Sequence, residues 1–202
     1  MNPFAGAAHV WFLVTLTSAV ASGAVASLVD RLRRQAMLDP LTGLLNRSGL
    51  RQLAQPALAL ADRSGRDLTV VVIDLDDFKA VNDRHGHGAG DDLLVGLARD
   101  WSSALRTQDV AARIGGDEFV LVLPDTDAQG AASLVGRLRE VSSAAWSYGL
   151  SQHRPGVPLE DLLADADREL YSAKHARARR SGTVAVPVPP QRAPLGAGLL
   201  ST

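Results

Sequence analysis

The sequence contains no cysteine, which rules out disulfide staples, thiolate nucleophiles and sulfur-ligated zinc, and fits a reducing compartment. Aromatic residues are scarce at 4%, too few for the stacking platforms with which proteins read single-stranded RNA. Charge of one sign is also lacking. Lys and Arg number 21 against 22 Asp and Glu, so no overall field draws polyanions, and nucleic acid is not expected as a partner. Any phosphate ligand must be held locally. There is no G-x-x-x-x-G-K-[ST] run, which excludes a Walker-type nucleotide site, and no internal repeat. What remains is a chain of 202 residues, 46% hydrophobic, enough for one ordinary core with short tails.

From Val10 to Val29 the chain reads VWFLVTLTSAVASGAVASLV without a charge, the length at which a helix crosses the hydrocarbon core. The expectation is a single-pass membrane anchor. Arg31, Arg33 and Arg34 follow it and no Lys or Arg precedes it, so the positive-inside rule sets the following domain in the cytoplasm, at an inner or plasma membrane. Ser18, Ser22 and Gly23 permit close helix pairing. Two alternatives stay open: a secretory signal, weakened by the missing basic n-region, and a soluble dimerising helix. The organisation expected is therefore an anchor and basic segment over 1–35, one catalytic domain over 36–182, and a Pro-, Ala- and Gly-rich tail without fixed structure over 183–202.

Within the central domain the periodicity is that of an α/β (α+β) fold. Asn46 is placed to cap a helix running to Asp62, with Pro56 as a kink or break. Leu68–Leu75 (LTVVVIDL) is an apolar run of strand length and reads as a buried central strand. Helices are expected over 76–85 and 90–105, two strands over 109–114 and 118–123, a helix over 127–141, a strand over 145–150 and a last helix over 159–178.

The chemistry-bearing feature is a strand that ends in carboxylates near a hairpin that carries more. Asp74 stands at the end of VVVIDLDDF, where retaining an acid in an apolar strand requires hydrogen bonds, a cation or a metal to offset desolvation. In RIGGDEFVLVLP, Gly115 and Gly116 offer the positive φ angles of a two-residue hairpin turn, with Asp117 and Glu118 at the tip. If the two strands are sheet neighbours, these acids converge and coexist only around divalent cations. The ligands are oxygens, which selects Mg²⁺ or Mn²⁺ over zinc, and Mg²⁺ commonly completes its shell with the phosphates of a nucleoside triphosphate. Between these elements lies FKAVNDRHGHGAGDD. Lys79 and Asn82 share a helix face, and Asp91 follows a glycine-rich bend. An amide with a carboxylate matches guanine's hydrogen-bonding edge. His87 suits a hydrogen-bonding role better than a metal site.

The ordered blocks DPLTGLLNR (39–47), DLDDFKAVND (74–83), GHGAGDD (86–92), RIGGDEF (113–119) and ADRELYSAK (166–174) resemble the GGDEF family of diguanylate cyclases. The resemblance covers about residues 36–180. It implies a nucleotidyl-cyclase-like palm, a mostly antiparallel central sheet flanked by helices, and condensation of two GTP into cyclic di-GMP and two pyrophosphates by a homodimer. Carried over by position, it implies that Asp74, the Leu75 carbonyl and Asp117 bind the metal with Glu118 assisting, and that Asp117 helps deprotonate the attacking hydroxyl. Asn82 and Asp91 would read guanine, with His87 in the substrate pocket. Lys79, Arg113 and Lys174 would neutralise the triphosphate, Lys79 being the candidate for stabilising transition-state charge.

Arg106 and Asp109 form an R-x-x-D pair at the family's inhibitory product site, so product feedback is expected. Departures are His85 where an aromatic is usual, HARARR after Lys174 with Arg177 or Arg179 as the second phosphate cation, and a short connection between Glu140 and Tyr148 that trims one edge of the sheet. The alternative to an active enzyme is an inactive domain that binds cyclic di-GMP or GTP and signals.

Overall fold

The computed structural model describes residues 11, 14–23, 25 and 37–180. The chain divides into two compact units, Met1–Met37 and Leu38–Thr202. In the first, the described residues 11, 14–23 and 25 are helical. Among the described residues no helix is long and apolar enough to cross a membrane. The expected span over 10–29, the membrane partnership and the membrane localisation are corrected accordingly. Thr15 and Thr17 donate their hydroxyls to the carbonyls of Trp11 and Val14 one turn back. Arg31, Arg33, Arg34 and the segment 183–202 lie outside the described residues.

The second unit is built in the order α1 (Arg47–Ser64), β1 (Leu68–Leu75), α2 (Phe78–His85), α3 (His87–Ala104), β2 (Val110–Arg113), β3 (Glu118–Pro124), α4 (Ala128–Val141), β4 (Trp146–Gln152) and α5 (Leu159–Arg180). Asn46 caps α1 as expected, its Oδ1 accepting from the amides of Ser48 and Gly49, and the helix passes through Pro56 without ending. Asp127 caps α4 in the same way.

The four strands lie in the order β2-β3-β1-β4, and every pairing is antiparallel. β1 is therefore central, and all of its residues but Asp74 are buried, which is why its sequence is continuously apolar. Alternation along it sorts the core into two layers. Val71, Ile73 and Leu75 meet Trp101, Leu97 and Leu94 of α3 and Leu134 and Leu138 of α4. Val70 and Val72 meet Leu50 and Leu58 of α1 and Leu162 and Leu170 of α5. Asp74 falls on the second face, at the end where β1 leaves the sheet.

Candidate active site

Asp74 stands directly opposite Glu118 on β3 and Ser147 on β4, a register that points all three side chains to the α5 side of the sheet. Leu75 donates its amide to the Asp117 carbonyl at 3.2 Å, so the backbones of two expected ligands are hydrogen-bonded neighbours. Burial is the largest influence on Asp74 and raises its pKa. The Lys174 ammonium, to which it is hydrogen-bonded and ion-paired, opposes that rise, and the charges of Asp117 and Glu118 add to it. Three carboxylates from two chain segments thus lie within electrostatic reach of one another, and their net balance is negative. Their oxygen-only donor set suits a hard divalent cation. Among the described residues no three acidic or imidazole side chains form a preformed metal cluster. Mg²⁺ commonly takes one or two carboxylates and fills its shell with water and phosphate, so the charge balance and donor chemistry fit such an ion without a closed cage.

The turn that presents these acids differs from expectation. Neither Gly115 nor Gly116 has positive φ. Four residues, Ile114 to Asp117, separate the strands, closed by Ile114 donating its amide to the Glu118 carbonyl at 2.9 Å. The longer loop removes the need for a left-handed turn. A Cβ at Gly115 would lie 2.6 Å from Glu118 Oε2, the far end of a flexible side chain, so a substitution there displaces the Glu118 carboxylate.

Arg113 braces this turn. Its Nη2 and Nε donate to the Gly116 carbonyl at 2.8 and 3.2 Å, and its Nη1 reaches the Asp39 carboxylate at 3.1 Å. Burial alone would raise the Asp39 pKa, but the Thr42 hydroxyl and amide and the Arg113 guanidinium outweigh it and hold it low. Arg47 donates to the Ile114 carbonyl. In this structure the guanidinium expected at the triphosphate is engaged by the hairpin. Asp39, Thr42 and Arg47 are supporting residues that residue chemistry alone missed, although they sit in the conspicuous DPLTGLLNR run.

Asn82, on α2, packs against Gly90 of α3, and Asp91 is the next residue of that helix. A Cβ at Gly90 would fall 2.0 Å from Asn82 Oδ1, and that buried oxygen has no hydrogen-bond partner. A buried amide oxygen without a partner calls for a ligand or water to satisfy it, and Asp91, one residue beyond Gly90, is exposed. Lys79 and His87 are both exposed, at the starts of α2 and α3. Lys174 reaches Asp74 from α5, Arg177 pairs with Asp76, and Arg179 is exposed.

Arg106 and Asp109 lie elsewhere, before β2, at the end of the sheet opposite Asp74. Asp109 Oδ2 accepts the Arg106 amide at 2.8 Å, while its Oδ1 is buried and unpaired. Burial raises the Asp109 pKa, countered by the Arg106 amide and charge. Both residues line a cavity of about 380 Å³ that also contains Ser133 and Arg137. Arg137, on α4, went unseen in the sequence because nothing in its spacing ties it to Arg106.

Comparison with known proteins follows from this geometry. The profile of the family described as "Diguanylate cyclase, GGDEF domain" matches residues 36–180. The chain is 38% identical over 156 residues to the diguanylate cyclase DgcP of Pseudomonas aeruginosa, covering 71% of this chain and 23% of that protein. Among solved structures it resembles a sensory box/GGDEF family protein from Caulobacter crescentus, with 41% identity and a TM-score of 0.62 over 70% of this chain and 99% of that one. It also resembles the coiled coil and GGDEF domain of DgcB from the same organism in complex with c-di-GMP, with 25% identity, a TM-score of 0.66, and coverage of 82% and 95%. The chain spans 20% to 38% of the length of the first three curated relatives.

Proposed function

This chain belongs to the diguanylate cyclase family with the GGDEF domain, and from that premise we propose that it condenses two GTP into cyclic di-GMP, releasing two pyrophosphates. The observation that carries the reading is the pairing of Asp74 with Glu118 across β1 and β3, with Asp117 at the adjoining turn. Each domain binds one GTP, and two copies face one another so that the 3′-hydroxyl on one attacks the α-phosphorus on the other. A phosphorus–oxygen bond forms, pyrophosphate leaves, and repetition in the opposite sense closes the ring.

Asp74, the Leu75 carbonyl and Asp117 would hold Mg²⁺ or Mn²⁺, with Glu118 assisting, and the ion would supply positive charge to the phosphate oxygens. Asp117 takes the hydroxyl proton. Asn82 and Asp91 orient guanine, and His87 hydrogen-bonds in the same pocket. Lys79 and Lys174 face the charge that spreads over the transferring phosphoryl group. Arg113 acts by holding the hairpin in place. Cyclic di-GMP binding at Arg106 and Asp109 restrains the reaction.

Incubation of the purified protein with GTP and Mg²⁺, followed by chromatography, tests this reading. Cyclic di-GMP from the wild type and none from Asp117→Ala is the expected result. No product from a folded wild type that still binds cyclic di-GMP tightly would reject catalysis in favour of a receptor.

A further inference from the structure

Beyond Leu170, which is 7% exposed, no residue of α5 through Arg177 is buried. Hydrophobic anchoring of the helix on the sheet therefore ends one turn before Lys174. Lys174 and Arg177 are three apart and share a helix face, and they pair with Asp74 and Asp76, two apart at the end of β1. The Asp76 side chain is only 11% exposed. It is fixed on the sheet side, with its Oδ1 accepting the Ser147 hydroxyl at 2.7 Å and its amide donating to the Ala145 carbonyl at 3.0 Å. A charge-assisted contact to an acid so held is a firm mooring. Arg177 also lines a cavity of about 570 Å³ with Arg139, Trp146 and Tyr148 along β4, and none of Asp74, Asp117 or Glu118 lines that cavity. The guanidinium is thus engaged by Asp76 and borders a cavity that the hairpin acids do not line.

We propose that Asp76 and Arg177 form a latch in which Arg177 is a positioning residue: it fixes the last turns of α5 so that the Lys174 ammonium is presented to the Asp74 site, and it does not itself bind the substrate's phosphates. This rests on the reading that the Asp74 site turns over GTP. Of the two cations available as a second phosphate ligand, Arg177 is removed.

The test measures GTP turnover with Mg²⁺ for Arg177→Ala, Asp76→Asn, Lys174→Ala and the double variants Arg177→Ala/Asp76→Asn and Arg177→Ala/Lys174→Ala. Each latch variant lowers kcat/KM about ten- to a hundredfold, the loss that misplacement of a charge-bearing group brings. The first double variant is no worse than its weaker single, and Arg177→Ala adds nothing once Lys174 is gone. Losses that multiply in the Lys174→Ala background, with a raised KM for GTP, would make Arg177 a direct phosphate ligand and overturn the latch. If the wild type makes no cyclic product, the functional reading fails by itself. Amide exchange over Ala173–Arg179 then decides the latch, since faster exchange in Asp76→Asn supports it and unchanged exchange overturns it.

Discussion

Gly149→Ala is a severe test of how α5 is seated. Gly149 lies on β4 opposite Val72, facing α5, and a Cβ there would sit 2.0 Å from the Ala166 carbonyl oxygen and 2.3 Å from the Leu170 amide nitrogen. Ordinary contact begins at 3.4 Å, and both obstacles are backbone in the middle of a helix, so neither can swing aside. The helix must retreat by roughly 1.4 Å, and interiors packed to crystal density do not absorb such a step locally. Overpacking of this kind costs up to about 3 kcal/mol or more. In a domain of this size each kcal/mol lowers Tm by about 2–4 °C, so a drop of roughly 6–12 °C is expected by thermal denaturation. Because α5 carries Lys174, turnover of the remaining folded protein also falls. A variant with the wild-type Tm would refute the close approach of α5 to β4.

Gly90→Ala acts on the other pocket: its methyl collides with Asn82 Oδ1 and approaches Phe78 Cζ to 3.1 Å. The amide must turn out of place, raising KM for GTP about tenfold or more, and an unchanged KM would remove Asn82 from guanine recognition. Burial keeps the Asp74 carboxyl above its ordinary range, so over that pH window the folded chain holds a proton that the unfolded chain has released. Its contribution to stability therefore falls as pH rises through the window. Urea midpoints of Asp74→Asn should move in the variant's favour, relative to wild type, over the same interval, and a constant difference would contradict the assigned burial. Arg106→Ala should abolish inhibition by added cyclic di-GMP while leaving the initial rate intact, because it lies at the far end of the sheet. Persisting inhibition would place the product site elsewhere.

Much of the frame was legible because it is written in local patterns. The uninterrupted apolar run of β1 marks a strand covered on both faces, Asn46 announces a helix start through capping chemistry, and an acid at the end of such a strand is conspicuous by its cost. What escaped is contact between distant segments. The resemblance sets Arg113 at the triphosphate, and only the fold brings Asp39, 74 residues earlier, against it. The Gly115–Gly116 pair reads in sequence as a left-handed turn, whereas neither glycine takes a positive φ and the Glu118 carboxylate lies close against Gly115. Arg177 and Arg179 are equivalent in a basic run until Asp76, 101 residues away, selects one. The uncharged run over 10–29 reads as a span by length and composition, whereas among the described residues no helix is long and apolar enough to cross a membrane.

The central claim is that Asp74 and Asp117 share one divalent cation with a guanosine triphosphate. Electron paramagnetic resonance titration of Mn²⁺ into the protein, with a non-reactive GTP analogue present, tests it directly. One tightly held ion per chain in the wild type, lost in both Asp74→Asn and Asp117→Asn while each variant stays folded, is the result predicted. Equal Mn²⁺ binding in wild type and both variants would contradict it.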